Sequence, residues 1–129
     1  MLDTKVVSEL ARYPQGPLSE RIAKVEPDAV CVSIITAAEL HYGAAKKGSV
    51  KLSARIEAIL GGLKVLPLDA PSDRGYGDIR ASLEAIGKPI GPNDLLIAAH
   101  ARAVGAVLVT ANMGEFNRVP DLTVENWLD

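Results

Sequence analysis

The chain has 129 residues, 48% of them hydrophobic and 23% charged, with a net charge of −2. This is enough apolar material for one globular domain, residues 1–129, and the near-neutral balance excludes a general polyelectrolyte binder, so any nucleic-acid contact must rest on local cations. The single Cys31 excludes an intrachain disulfide and a multi-cysteine zinc site, and no apolar run approaches the roughly 20 residues of a membrane helix.

Asp3, Lys5 and Glu9 interrupt the apolar start, so no signal-peptide pattern is present; the chain is expected to begin inside the fold, without a leader, and to be cytoplasmic. Met1-Leu2 reads as a short strand. Val6, Val7, Leu10 and Ala11 recur at helical spacing until Pro14, and Leu18, Ile22 and Val25 mark a second helix closing near Pro27. Residues 29–33 read as a buried strand that takes Cys31 with it as an inert thiol. Thr36 is expected to open a helix towards Gly48, and Leu52, Ile56, Ile59, Leu60 and Leu63 define the next, ended by Gly61-Gly62. Residues 64–68 form a strand and residues 71–87 a helix, with Ile79, Leu83 and Ile86 inward and Arg80, Glu84 and Lys88 as an exposed charge ladder. Pro92 starts a helix running to Val104, followed by strands at 106–109 and 122–124. Strands alternating with helices imply an α/β fold on a mainly parallel sheet, with ligands expected outside the carboxyl ends of the strands.

Acids fall at those places. Asp3 follows the first strand, Glu39 follows the second after a short turn, and Asp94 lies in the first turn of the helix opened by Pro92; Thr110-Ala111-Asn112 follows the strand at 106–109. Each has a purely structural alternative. Asp3 can cap a helix, Thr36-Ala-Ala-Glu39 matches a capping box, and Asp94 suits a helix dipole. Taken together, carboxylates converging on one sheet edge need protons or a cation to offset their repulsion, and hard oxygen donors suit magnesium or manganese. The pattern points to a metal-dependent enzyme that cuts phosphodiesters. A receiver domain would need paired acids near the first strand, and a haloacid-dehalogenase-type phosphatase would need an acid at position 5; the order of acids here fits neither.

Four stretches in order carry a resemblance. Met1-Leu2-Asp3-Thr4, Ser33 through Gly43 around Glu39, Ile90-Gly91-Pro92-Asn93-Asp94 through Ala101, and Leu108-Val109-Thr110 together resemble the PIN-domain nucleases, in particular the VapC-type toxins of bacterial toxin–antitoxin pairs. Val124-Glu125-Asn126-Trp127 is similar to the family's ending, so the resemblance covers essentially the whole chain. It implies a Rossmann-like α/β/α sandwich, RNA cleavage dependent on Mg2+ or Mn2+, and a cognate antitoxin and a second copy of the chain as partners. By resemblance Asp3, Glu39 and Asp94 form the metal site and Thr4 is the hydroxyl residue beside the first acid. Asp3 and Asp94 are expected as direct ligands, with Glu39 acting through water, and with one firmly held metal rather than two. Asn112 stands where many members carry a further aspartate, and Glu115 either supplies an acid from that loop or is a solvated loop residue.

Lys5 departs from the asparagine usual at that place in the family. It either points to solvent or sits among the carboxylates in place of a metal, which would leave an attenuated protein that acts mainly by binding its antitoxin. His41 and His100 stay outside the catalytic set; His100 lies about 240° round the helix from Asp94. Lys46, Lys47, Lys51 and Arg55 form the one visibly basic stretch, with Arg74 and Arg80 as further cations, all readable as an RNA contact or as a solvated helix surface, while Arg12, Arg102 and Arg118 are unplaced. The amphipathic stretches at 6–11, 18–25 and 52–63 either are all core or leave an apolar surface for a partner helix.

Overall fold

Short strand segments, each two or three residues long, make the middle layer. In the computed structural model, which describes residues 1–128 and Pro27 by its backbone alone, the elements are α1 (Thr4–Arg12), α2 (Pro17–Ala23), a 3-10 turn (Pro27–Ala29), β1 (Cys31–Ser33), α3 (Ile34–Lys47), α4 (Val50–Gly61), β2 (Lys64–Leu66), α5 (Ser72–Ala85), α6 (Pro92–Val104), β3 (Leu108–Val109), α7 (Met113–Phe116) and β4 (Val124–Glu125). β1 pairs with β2, β3 with β4, and Leu2 with Val109, all in parallel. The Leu2 N–H also donates to the Cys31 carbonyl at 2.9 Å, while the Asp3 N–H donates to the Val109 carbonyl and the Val109 N–H to the Met1 carbonyl. Hydrogen bonding therefore orders the layer as β2, β1, the Met1-Leu2 segment, β3, β4. The chain builds outward from its first residues through β1 to β2, then returns through α5 and α6 to the opposite side. That reversal lies between Leu2 and β3, where side chains following the two strands open into a crevice.

Successive strand residues face opposite sides, and the core divides accordingly. Met1, Cys31, Leu66, Leu108 and Val124 pack with Ile79, Leu83, Ile97 and Phe116 under α5 and α6. Leu2, Val32, Val65 and Val109 pack with Val6, Val7, Leu40, Ile56 and Leu60 under α1 to α4. The expected α/β/α sandwich is present. α5 and α6 approach closely because Gly75 faces the Ala99 side chain, with no Cβ between them. The three amphipathic stretches supply the second core, so their buried stripes are core rather than spare surface. No helix among the described residues is long and apolar enough to cross a membrane.

Several boundaries move for identifiable reasons. The expected strand at 29–33 shortens to β1 because residues 27–29 form the 3-10 turn. β2 stops at Leu66, before Pro67, which has no N–H for the ladder. The 106–109 strand reduces to β3 because the Ala106 N–H closes α6 on the Ala101 carbonyl. β4 lies at Val124–Glu125 rather than 122–124. α3 begins at Ile34, two residues before Thr36, since the Ser33 hydroxyl caps it by accepting from the Ile35 N–H at 3.1 Å. The capping box of Thr36 and Glu39 therefore does not form, and Glu39 is free to face elsewhere. Ile86, expected inward, is 61% exposed, because α5 ends at Ala85 and Gly87 turns the chain at φ 69°. The charge ladder keeps its Arg80–Glu84 pair at 3.0 Å and loses Lys88, which lies beyond the helix. Cys31 is half-buried rather than fully buried.

His100 belongs to this framework, as expected. It is buried, its Nδ1 lies 2.8 Å from the Ser33 hydroxyl, and it also bonds the Pro67 backbone. Burial lowers its pKa, against the opposing pull of Asp69 and the Pro67 bond. Ser33→Ala removes both the α3 cap and the partner of a buried imidazole. The expected loss is about 1–3 kcal/mol, read as a lower urea midpoint at unchanged slope.

Candidate active site

Asp3 enters the site as the cap of α1. It is 5% exposed; one carboxylate oxygen accepts from the Val6 N–H at 2.9 Å and the other from the Thr110 hydroxyl. Thr110 is buried at the end of β3 and is itself fixed, because its oxygen accepts from the Asn112 N–H at 2.9 Å. The capping interpretation of Asp3 is thus correct and does not compete with a site role: the cap sets the side chain's direction at the crevice. Burial raises the Asp3 pKa, opposed by the Thr110 and Val6 bonds and the charge of Lys5, while nearby Glu39 adds to the rise.

Glu39 reaches the same crevice from the second turn of α3. The Thr4 hydroxyl donates to its Oε1 at 2.5 Å, and the Asn93 amide donates to its Oε2 at 3.3 Å. Thr4 also lies 3.4 Å from the buried Thr36 hydroxyl, which ties the first turns of α1 and α3 together. Thr36 therefore contributes to the placing of Glu39, though not by capping.

Asp94 and Glu115 form the third edge. α6 starts with Gly91 and Pro92, and Asp94 lies in its first turn. Its carboxyl is hydrogen-bonded to Glu115, and it feels the charges of Glu115, Glu39 and Asp3. Burial, that hydrogen bond and the three charges push its pKa up to about 7. Glu115 moves the other way. Its own burial would raise it, but bonds from Asp94, the Gly91 N–H and Asn112, with the charge of Arg118, hold it below its ordinary value. The Gly91 N–H donates to Glu115 at 3.2 Å and the Asn112 amide donates at 2.6 Å. The proton that the pair takes up first is therefore held on Asp94 rather than on Glu115.

Asp3, Glu39 and Asp94 are thus brought together, with Thr4 beside them. Glu115 is a member of the cluster rather than a solvated loop residue, and Asn112 works through Glu115. Two contributors carried no role in the sequence reading. Thr110 is the first polar residue after an apolar strand and Asn93 sits next to an acid, and both lie in the stretches that carry the family resemblance, but no signal tied either to a particular acid. Lys5 is exposed, and among the described residues no ion pair joins it to an acid, so it does not occupy the cluster. His41 lies outside, 3.6 Å from Glu57.

The donor set is entirely oxygen, suits a hard divalent cation and retains a proton where one would bind. Among the described residues no three of these side chains stand in a closed metal-holding arrangement. Their oxygens are held by the protein's own hydroxyl, amide and carboxyl donors, which a cation would have to displace or share.

The PIN-domain family model matches residues 1–122. The chain belongs to the PIN-domain family. Among its relatives is Ribonuclease VapC2 of Haemophilus influenzae, 42% identical over 99% of this chain and 97% of that protein. The tRNA(fMet)-specific endonuclease VapC of Shigella flexneri is 38% identical over 98% of this chain and 96% of its own. In a DNA-bound VapBC crystal structure from Salmonella typhimurium, one chain superposes with a TM-score of 0.89 at 36% identity, covering 98% of this chain and 96% of that one. Within the PIN-domain family, this chain is of the VapC type.

The acid pair makes metal-free stability depend on pH. Asp94, raised from 3.8 to about 7, stabilises the fold fully below its ordinary value and loses that contribution as pH rises through about 7. Glu115, lowered from 4.5, has the opposite dependence, confined to more acid solution. In chelator, Tm is therefore expected to fall as pH rises from about 5 to about 8, and Asp94→Asn should flatten that slope; thermal melts across the range check it.

Proposed function

We propose that this protein is a magnesium- or manganese-dependent endoribonuclease, the toxin of a toxin–antitoxin pair. The observation that carries the reading is the set of four carboxylates, supplied by the cap of α1 and by α3, α6 and α7, at the sheet's reversal point and dense enough that the pKa of Asp94 is pushed up to about 7. A divalent ion there supplies charge neutralisation at the phosphate and a bound water of lowered pKa. Asp94 and Glu115 would hold it together with Asp3, whose direction is set by Val6 and Thr110. Glu39, held by Thr4 and Asn93, orients the attacking water and accepts its proton. Asn112 and Thr110 touch no reacting atom; they position Glu115 and Asp3.

Transfer RNA is the substrate class favoured by the name of the Shigella flexneri relative. An antitoxin protein is the partner, as in the VapBC complexes, and the toxin works as a homodimer in the cytoplasm. Lys5 modulates the site only at a distance, helping to keep Asp3 ionised.

Magnesium or manganese is expected to raise Tm by mass action. Asp94→Asn should abolish that rise, and both Asp94→Asn and Glu39→Gln should lower RNA cleavage at least about a hundredfold. A Tm rise that survives in both Asp3→Asn and Asp94→Asn would show that the metal lies elsewhere. Lys5→Asn should leave the metal-induced rise nearly unchanged, within the ~0.5 kcal/mol usual for an exposed substitution; a marked tightening of metal binding would instead put Lys5 inside the cluster.

A further inference from the structure

A groove of about 300 Å³ runs from the acid cluster along the surface between α1, α3 and α4. Thr4 and Glu39 line it at the site, and Arg12, Lys47 and Arg55 line it as well, each from a different helix. All three cations are exposed, and among the described residues none has an ion pair or hydrogen bond of its own. Five other cations are engaged elsewhere: Arg102 and Arg118 donate to the carbonyls of Pro120 and Pro89, Arg80 pairs with Glu84, Arg21 lies over Trp127, and Lys46 over Tyr42; the remaining six, Lys51 among them, do not line the groove. The basic stretch at 46–55 thus divides, with Lys47 and Arg55 turned to the groove that Arg12 enters from α1. Three unpaired positive charges on one apolar-floored groove, with Leu40 and Ile56 beneath, are complementary to a flexible polyanion.

We propose that this groove is the path of the RNA strand beside the cut, with Arg12, Lys47 and Arg55 holding successive phosphates. The proposal rests on the nuclease reading above and adds the substrate's direction to it. A strand whose reacting linkage lies at Glu39 must carry its neighbouring phosphates onto the adjoining surface. This groove is a continuous surface from that point, and its charge is opposite to that of the acid cluster. The apolar floor accepts base faces irrespective of sequence, so these contacts contribute affinity and direction rather than the choice of target.

The test measures cleavage of a single-stranded RNA with magnesium over a series of potassium chloride concentrations. It compares wild type, the triple variant Arg12→Gln/Lys47→Gln/Arg55→Gln, each single variant, and Lys88→Gln as an exposed cation outside the groove. Each groove cation removed is expected to flatten the slope of log(1/KM) against log[salt] by about 0.7, and the triple variant by about 2. The loss should fall on KM rather than kcat, while Lys88→Gln keeps the wild-type slope. The single variants carry the result if the triple variant is poorly folded. Unchanged slopes in the groove variants, with wild type active, overturn the proposal and leave the nuclease reading standing. If poly-glutamate inhibits wild type but not the groove variants while their slopes stay equal, the groove is a peptide site and the RNA assignment is overturned. A wild type that cleaves no RNA overturns the nuclease reading itself, and this proposal with it.

Discussion

The whole arrangement depends on how the first three residues are held. The Leu2 N–H donates to the Cys31 carbonyl on one side, while on the other its neighbours Met1 and Asp3 exchange hydrogen bonds with Val109, so Met1-Leu2 lies in the interior of the strand layer. The N-terminal ammonium is itself bonded to the Val107 carbonyl at 2.7 Å. Asp3 therefore leaves the layer at the reversal point with little freedom. Its two oxygens are committed to the start of α1 and the end of β3. A carboxylate that caps a helix and also receives a buried hydroxyl links two elements that are more than a hundred residues apart. The other acids are arranged around this fixed point.

Around it, charge density opposes packing. The two cores are nearly saturated with aliphatic side chains, and they force the carboxyls of α1, α3, α6 and α7 into one partly dry crevice. The fold accommodates them with neutral donors, Thr4, Asn93, Asn112 and Thr110, and with a proton on Asp94. Each donor stabilises one acid in one direction. Together they fix the directions of the acids in the crevice. The unpaired cations lie farther along the groove, which gives the surface a negative head and a positive track.

Much of this was legible because the signals are local. Periodicity located the helices, and alternation of apolar and polar runs implied the parallel sheet. Four short stretches in order gave the family, whose implied acids Asp3, Glu39 and Asp94 do converge. What misled was also local. Thr36 and Glu39 have capping-box spacing, yet Ser33 captures the first amides of α3. Ile86 continues a helical stripe, yet Gly87 has already turned the chain. Glu115 and Lys5 read ambiguously because a linear pattern carries no information about which side chains face the same crevice.

The sequence by itself determined the order of helices and strands, the division of apolar residues between two faces, and the family with its acids, since these follow from short-range spacing and residue type. Only the tertiary structure decided that Glu115 joins the cluster while Lys5 stays outside. The same holds for Thr110 and Asn93 as the partners of Asp3 and Glu39, and for the splitting of the basic stretch at 46–55. These outcomes depend on distances across the crevice between segments remote in the chain. Such distances are set by how the helices pack on the sheet, and no pattern within one segment encodes them.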